Sequence, residues 1–124
     1  MAYNIKVIRA TEFVRARAHG DFDLERSVLM LDAIARAAES LDEFEIMVDT
    51  RGVTQALGAT QLWYLAETLV KHRHTFARKT AVLCPEARFD HVRFFSLCAE
   101  RRGFNIQPFT EYEHAMDWLT SISE

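Results

Sequence analysis

The sequence reads Phe44-Glu45-Ile46-Met47-Val48-Asp49 at one point and Thr80-Ala81-Val82-Leu83-Cys84 further along the chain. Each stretch contains a short run of consecutive apolar residues, and helical patterns flank both. Strands that helices cover on both faces have this composition, because neither face meets water. The two stretches therefore predict central, parallel strands in an α/β fold.

The remaining elements follow from the periodicity on either side of these strands. Residues 3–9 and 12–19 alternate apolar and polar side chains around a short turn, which predicts a hairpin with one wet face. The stretch between the two central strands carries an apolar stripe at helical spacing: Leu62, Leu65, Ala66, Leu69 and Val70. A further helix is predicted at about 88–101, and the order becomes β-β-α-β-α-β-α-β-α. This order predicts a mixed sheet with a parallel core and flanking helices.

Several residues predict where elements begin and end. Asp21 or Asp23 is placed to cap the first helix, and Gly103 to end a later one in a left-handed conformation. Pro108 lacks a backbone N–H, so its strand is expected at the edge of the sheet. Thr110-x-x-Glu113 has the pattern of a capping box for the last helix.

Length and composition restrict the class of protein. The 124 residues fit one domain, 1–124, and the formal charge of −3 gives no drive toward nucleic acid or an anionic membrane. No apolar run approaches the roughly 20 residues that span a bilayer, and no signal peptide is apparent. Cys84 and Cys98 have neither disulfide-framework nor metal-site spacing. We therefore expect a cytoplasmic protein without metal or cofactor.

Three longer stretches carry a family resemblance. They are Ile46-Met47-Val48-Asp49-Thr50-Arg51-Gly52-Val53, Arg102-Gly103-Phe104-Asn105-Ile106-Gln107-Pro108-Phe109 and Glu111-Tyr112-Glu113-His114-Ala115-Met116-Asp117-Trp118-Leu119. Together with Thr80-Ala81-Val82-Leu83 they resemble the STAS fold of anti-sigma-factor antagonists, in its SpoIIAA-like branch of small bacterial proteins. The resemblance spans nearly the whole chain and implies a regulatory binding module without catalysis.

The resemblance also indicates a segment to inspect for phosphorylation. In the phosphorylation-controlled members a Ser or Thr lies in the loop after the third strand, which here is residues 50–60. The family's D-S-S-G run is absent and the segment contains no serine, which argues against that switch. Thr50, Thr54 and Thr60 remain the candidates, and Thr60 has a second interpretation as a helix cap.

Two further residues are candidates for a ligand site. Ligands of open α/β sheets bind outside the carboxyl ends of the strands, where Arg51 and Cys84 are expected. Arg51 is suited to hold a carboxylate or phosphate, or else it pairs with Asp49 or Glu86 at the surface. Cys84 is either a nucleophile served by His91 or a buried thiol. His72 and His74 are better explained as a solvated helix end than as a metal site.

Apolar side chains outside the core stripes predict an association surface. Trp63, Tyr64 and Phe94 lie beside the stripes of their helices, and such residues often mark interfaces. We expect a homodimer, with the alternative that a wide stripe fills the protein's own core.

The leading functional hypothesis is a regulatory module for a protein partner or small ligand. The alternatives are a small enzyme, or an anionic-ligand or lipid-binding protein, using the crevice near Arg51 and Cys84. A weaker lipid-carrying hypothesis places an apolar pocket under the helix at 60–74.

Overall fold

A computed structural model describes residues 3–8, 13–41, 44–55 and 57–121. These residues form a five-stranded sheet in the order β1-β2-β3-β4-β5. Its strands are β1 (Tyr3–Ile8), β2 (Phe13–Gly20), β3 (Glu45–Val53), β4 (Thr80–Leu83) and β5 (Ile106–Phe109). β1 runs antiparallel to β2, and the pairs from β2 to β5 are parallel. The predicted mixed sheet with a parallel core is confirmed, while the turn predicted near residues 9–11 lies outside the described residues.

The helices lie on both faces of the sheet. They are α1 (Leu24–Ala37), α2 (Ala59–Thr68), α3 (Phe89–Glu100) and α4 (Tyr112–Thr120), with 3₁₀ turns at Leu69–His72 and Glu86–Arg88. Each of α1, α2 and α3 connects two neighbouring parallel strands, so right-handed crossovers place all three on one face. Their buried side chains form one core with that face, while α4 packs Ala115 and Leu119 on the other face.

The strand patterns explain why the central strands look continuously apolar. In β2, Val14, Ala16 and Ala18 are buried beneath the helices, whereas Arg17 and His19 point to the other face and are exposed. All four residues of β4 are buried. Val82 contributes to the core under α1–α3, and Leu83 to the core under α4. The sequence pattern correctly indicated one wet face for β2 and two covered faces for β4.

Pro108 occupies a place in β5 where its missing N–H breaks no ladder bond. The carbonyl oxygens of Asn105 and Phe109 accept hydrogen bonds from the N–H groups of Thr80, in β4, and of Cys84, just after it. Backbone N–H and C=O groups point to alternate sides along a strand, so the backbone polar groups of Ile106 and Pro108 face the open edge of the sheet. The predicted edge position of this strand is confirmed.

Some predicted boundaries are correct and others are not. Asp23 caps α1 by accepting a hydrogen bond from the Arg26 N–H, and Gly103 adopts a φ of 91° just after α3. The capping box at Thr110 is wrong, because α4 begins at Tyr112 and its N-cap, Glu111, makes no side-chain cap bond. The helical spacing predicts Val70 in the core stripe, yet its side chain is exposed. The α-helix ends at Thr68, and the tighter 3₁₀ period rotates Val70 away from the core.

None of the helices in the described part of the chain combines the length and apolarity that crossing a bilayer needs.

Candidate functional site

A cavity of about 130 Å³ lies between the sheet and the three helices α1, α2 and α3. Its wall is almost entirely apolar. Each helix supplies a pair of side chains: Met30 and Leu31, Leu62 and Leu65, and Val92 and Phe95. An apolar cavity of about 150 Å³ stays dry and accepts a molecule of the size of benzene. The space therefore fits a ring or a short alkyl chain.

The cavity arises where the three helices meet over the centre of the sheet. Val48 of β3 and Val82 of β4 lie on its floor, and both side chains are short. Each helix packs its own stripe against the sheet, but no long side chain from the strands fills the space between the stripes. Protein interiors are ordinarily close-packed, so an apolar space of this size is a feature to be explained.

The polar residues at one end of the cavity mark its opening. Gln55 and His91 are exposed, while Thr50 and Arg88 are half-buried. These residues follow the carboxyl ends of β3 and β4 or lie at them. An Arg88 Nη2 donates to the Thr50 backbone oxygen at 2.9 Å, and Thr50 Oγ1 donates to the Leu83 backbone oxygen at 2.7 Å. These two bonds tie the strand ends together at the mouth.

A buried hydroxyl lies at the opposite end of the cavity. Thr80, the first residue of β4, is 2% exposed and lines the cavity wall. Its Oγ1 has no hydrogen-bond partner among the described residues. A buried polar atom left without a partner costs about 1–3 kcal/mol. The enclosed end of the cavity thus offers one unused hydrogen-bonding group.

The loop between β3 and α2 forms part of the mouth, and Thr54 anchors it. Thr54 Oγ1 donates to Asp21 Oδ1 at 2.9 Å, and the Thr54 N–H donates to the Gly20 oxygen at 3.0 Å. These bonds hold the loop next to the end of β2. The neighbouring residues Gln55 and Leu57 line the cavity.

Thr60 does not cap α2, contrary to one of the two expectations for it. The helix begins at Ala59 with Gly58 as its N-cap. The Gly58 N–H donates to Gln61 Oε1 at 3.0 Å, and Gly58 has no side chain that could accept a bond from the first turn of the helix. Thr60 is an exposed residue in the first turn of the helix.

Arg51 lies on the other face of the sheet and bonds to Asp49. Its Nε and Nη2 donate to the two carboxylate oxygens of Asp49 at 3.0 and 2.9 Å, and Arg17 Nε lies 3.8 Å from Asp49 Oδ2. Burial of Asp49 raises the pKa of its carboxyl. The hydrogen bonds from Arg51 and the charges of Arg51 and Arg17 outweigh burial, so the net pKa is below 3.8. The guanidinium of Arg51 is thus already paired with the Asp49 carboxylate.

Cys84 is a fully buried thiol. Its N–H donates to the Phe109 oxygen at 2.9 Å, and its Sγ lies 3.7 Å from the same oxygen. Burial raises the pKa of the Cys84 thiol, and the positive charge of Arg88 offsets only part of that rise. Among the described residues, no hydrogen bond joins Cys84 to a base.

The five residues expected in a ligand site therefore separate in space. Only Thr50 lines the cavity, while Arg51, Thr54, Thr60 and Cys84 do not. Arg88 and Thr80 were not singled out from the sequence. An arginine shortly after a strand and a threonine at the start of one are common, and what distinguishes this pair is visible only in three dimensions.

His72 was expected at a solvated helix end, and the structure corrects this. Its side chain is largely buried, and Nε2 lies 2.8 Å from Asp32 Oδ1 of α1. The 3₁₀ turn after α2 brings the ring back over α1. In the described ranges, no three His, Cys, Asp or Glu side chains come together as a metal site.

The outer surface of α2 and α3 carries most of the exposed apolar side chains. Seven large apolar residues are exposed in the described part of the chain, and five of them belong to α2, α3 or the 3₁₀ turn after α2. They are Trp63, Tyr64, Val70, Phe94 and Leu97, and together they are called the α2–α3 surface below. Arg102 packs over the Trp63 ring at 5.0 Å and pairs with Glu67, which joins the end of α3 to α2.

Comparison with known proteins identifies the fold. No family model and no curated protein matches the sequence. Among solved structures, the chain is similar to a DUF3478-family protein with a SpoIIAA-like fold from Shewanella loihica. That match has a TM-score of 0.65 and 18% identity, over 95% of this chain and 94% of the other. The chain is also similar to the unphosphorylated anti-sigma factor antagonist SpoIIAA, with a TM-score of 0.59 and 16% identity, over 98% and 100% of the two chains. The protein has a SpoIIAA-like fold.

Proposed function

We propose that the protein is a non-catalytic regulatory binding module that holds a small apolar ligand in the cavity beneath α1–α3. The observation that carries the proposal is the cavity itself, with its apolar wall and a polar mouth at the carboxyl ends of β3 and β4. Thr50 is the sequence-predicted residue that the proposal retains as a ligand neighbour. The fold is shared with an anti-sigma factor antagonist, which supports a regulatory role.

The chemistry of the described residues favours binding over catalysis. A nucleophilic cysteine needs a stabilised thiolate, whereas burial raises the pKa of the Cys84 thiol. Arg51 is held by Asp49 and lies away from the cavity. Both cysteines are free and buried, which supports a reducing, cytoplasmic location.

A short neutral alcohol, 1-hexanol, is a suitable probe for the cavity. Burial of its chain contributes about 0.8 kcal/mol per methylene, so we expect a dissociation constant on the order of 1 mM. Isothermal titration calorimetry gives the affinity, and methyl chemical shifts from Leu, Ile, Val and Met side chains locate the site. The largest shifts are expected at Met30, Leu65 and Val82.

A variant that fills the cavity tests whether the probe binds there. Val92 is half-buried on α3 and lines the cavity, so Val92→Phe places a ring into the space. Leu29→Phe is the control, because Leu29 is exposed on α1, does not line the cavity and lies outside the α2–α3 surface. We expect folded Val92→Phe to lose hexanol binding and Leu29→Phe to retain it. Equal binding by both variants, or no binding by the wild type, would contradict the proposal.

We further propose that a second copy of the chain is one partner of this module and binds at the α2–α3 surface. The concentration of exposed aromatic side chains on two adjacent helices supports this. The same two helices contribute Leu62, Leu65, Val92 and Phe95 to the cavity wall. A ligand that shifts either helix would therefore alter the surface on its outer side, and this shared structure is a second support for a regulatory role.

A further inference from the structure

We infer that the cavity selects an amphiphile with one carboxylate group, whose apolar tail enters the cavity and whose carboxylate binds Arg88 at the mouth. The inference rests on the proposed function, since it names the ligand class for the same site. Arg88 ends the 3₁₀ turn that follows β4 and leads into α3, so the backbone fixes its position at the opening.

The guanidinium of Arg88 has unused binding capacity. Among the described residues, the Arg88 side chain makes one hydrogen bond, from Nη2 to the Thr50 backbone oxygen. No described carboxylate lies within ion-pair distance of it. Arg51 and Arg102, in contrast, are each paired with an acid, Asp49 and Glu67. A guanidinium carries five N–H donors in a planar fork that matches a carboxylate. Arg88 therefore presents a half-buried positive charge and free donors at the edge of an apolar space.

The position of Arg88 sets the orientation of the ligand. The exposed cavity residues Gln55 and His91 lie at the same end as Arg88, and Thr80 lies at the enclosed end. A carboxylate is strongly hydrated and costs a great deal to bury without a partner. It therefore stays at the mouth, where Arg88 and water both reach it, and the tail fills the dry part. With a cavity of about 130 Å³, the tail is about the size of a six-carbon chain or one ring.

Hexanoate and 1-hexanol test the inference, because they share a six-carbon chain and differ in the charge of the head. Titration calorimetry at pH 7.5, in a buffer without carboxylates or phosphate, compares the wild type with Arg88→Gln and Arg93→Gln. Arg93 is the matched control, since it is exposed on α3, the helix that follows Arg88, and does not line the cavity. We expect hexanoate to bind the wild type and Arg93→Gln about tenfold more tightly than hexanol. Arg88→Gln should lose this preference and keep its hexanol affinity within about twofold.

A second measurement does not depend on the folding of a variant. Raising the ionic strength from 0.02 M to 0.5 M should weaken hexanoate binding to the unmodified protein severalfold, because salt screens the charge at the mouth, and should leave hexanol binding unchanged. Hexanoate binding that is insensitive to both Arg88→Gln and salt, or weaker than hexanol binding, would overturn the inference alone. Failure of both probes to bind would overturn the proposed function as well.

Discussion

Thr80 shows how one unpaired hydroxyl bears on stability. Its Oγ1 is buried without a partner in the described structure, whereas Thr50 Oγ1, also at the cavity wall, donates to Leu83. Valine has nearly the shape of threonine but carries no polar atom. We therefore predict that Thr80→Val raises the free energy of unfolding by about 1 kcal/mol, and that Thr50→Val lowers it by about 1 kcal/mol. Urea denaturation of both variants measures the two changes.

The two threonines control for each other because each lies on the cavity wall and undergoes the same substitution. A loss of stability in Thr80→Val would show that the hydroxyl already has a partner, such as a water molecule held in the cavity. That result would make the enclosed end of the cavity wet.

Asp49 contributes to stability in a way that depends on pH. The Asp49 carboxyl has a pKa below its ordinary value of 3.8 in the folded protein. Its stabilising contribution is fully present above that ordinary value and is lost as the pH falls through the lower, folded-state pKa. We predict that Asp49→Asn is less stable than the wild type at pH 7. The loss should be only about 1 kcal/mol, because Arg51 is half-exposed and solvent screens its charge. The two proteins should converge in stability in strong acid.

Denaturation at several pH values between 2 and 7 measures this convergence. Asp117→Asn is the control, since Asp117 is exposed on α4 and makes no described ion pair. A gap between Asp49→Asn and wild type that stays constant down to strong acid would refute the assignment of the effect to the carboxylate charge.

The two cysteines should react slowly with alkylating reagents. Both are buried, and burial raises the pKa of the Cys84 thiol. We predict that iodoacetamide at pH 7.5 modifies neither cysteine of the folded protein on the time scale in which it consumes a free thiol, and modifies both in urea. Mass spectrometry of the intact protein follows the reaction. Rapid modification of Cys84 alone would revive the enzyme hypothesis.

At the scale of elements, a buried lysine binds the C-terminal end of α4. Lys79 is buried just before β4, and its Nζ donates to the Trp118 oxygen, the Ser121 oxygen and Ser121 Oγ at 2.7–2.9 Å. These carbonyls belong to the last turn of the helix and its cap, where a cation is favourable. We predict that Lys79→Met destabilises the protein by about 1–3 kcal/mol. The added loss of protection in hydrogen exchange should be concentrated in α4.

Lys71→Met provides the comparison, because Lys71 is an exposed residue of the 3₁₀ turn after α2. It should change neither the stability nor the exchange of α4. Uniform loss of protection across all helices in Lys79→Met would mean that α4 does not respond separately from the rest of the fold.

The sequence predicted the elements well because their signals are local. The apolar runs of β3 and β4, the Asp23 cap and the Gly103 terminator each depend on a few neighbouring residues. The wrong assignments, the Thr110 cap and the Val70 packing, depend on where a helix starts or changes its period. A shift of one or two residues there alters which side chains are buried.

The candidate site was predictable only in part. The expectation of a site at the carboxyl ends of the strands agrees with the position of the cavity mouth, but Thr50 alone of the five candidates lines the cavity. An apolar stripe looks the same in sequence whether its side chains touch or leave a gap, so the cavity itself has no local signal. The importance of Arg88 depends on the absence of a nearby acid, which is a tertiary property.

At the scale of the whole molecule, the exposed α2–α3 surface leads us to expect a dimer. We predict that sedimentation at tens of micromolar shows a dimer, and that Phe94→Ser combined with Tyr64→Ser shifts it toward monomer. Both residues are exposed, so the fold should tolerate the changes. Leu29→Ser on α1 is the control, since Leu29 is also exposed but lies outside that surface. A monomeric wild type, or an unaffected dimer in the double variant, would contradict the assigned interface.

Pro108 also limits how copies of the chain can join. On the open edge of β5, Ile106 offers an N–H but Pro108 does not, although both offer a carbonyl. A strand from a second molecule could accept a hydrogen bond from the Ile106 N–H but would find no donor at Pro108. The ladder between the two strands would therefore be interrupted after two residues. The β5 edge is therefore a poor template for sheet growth between molecules, and it resists the edge-to-edge stacking that leads to aggregated β-structure.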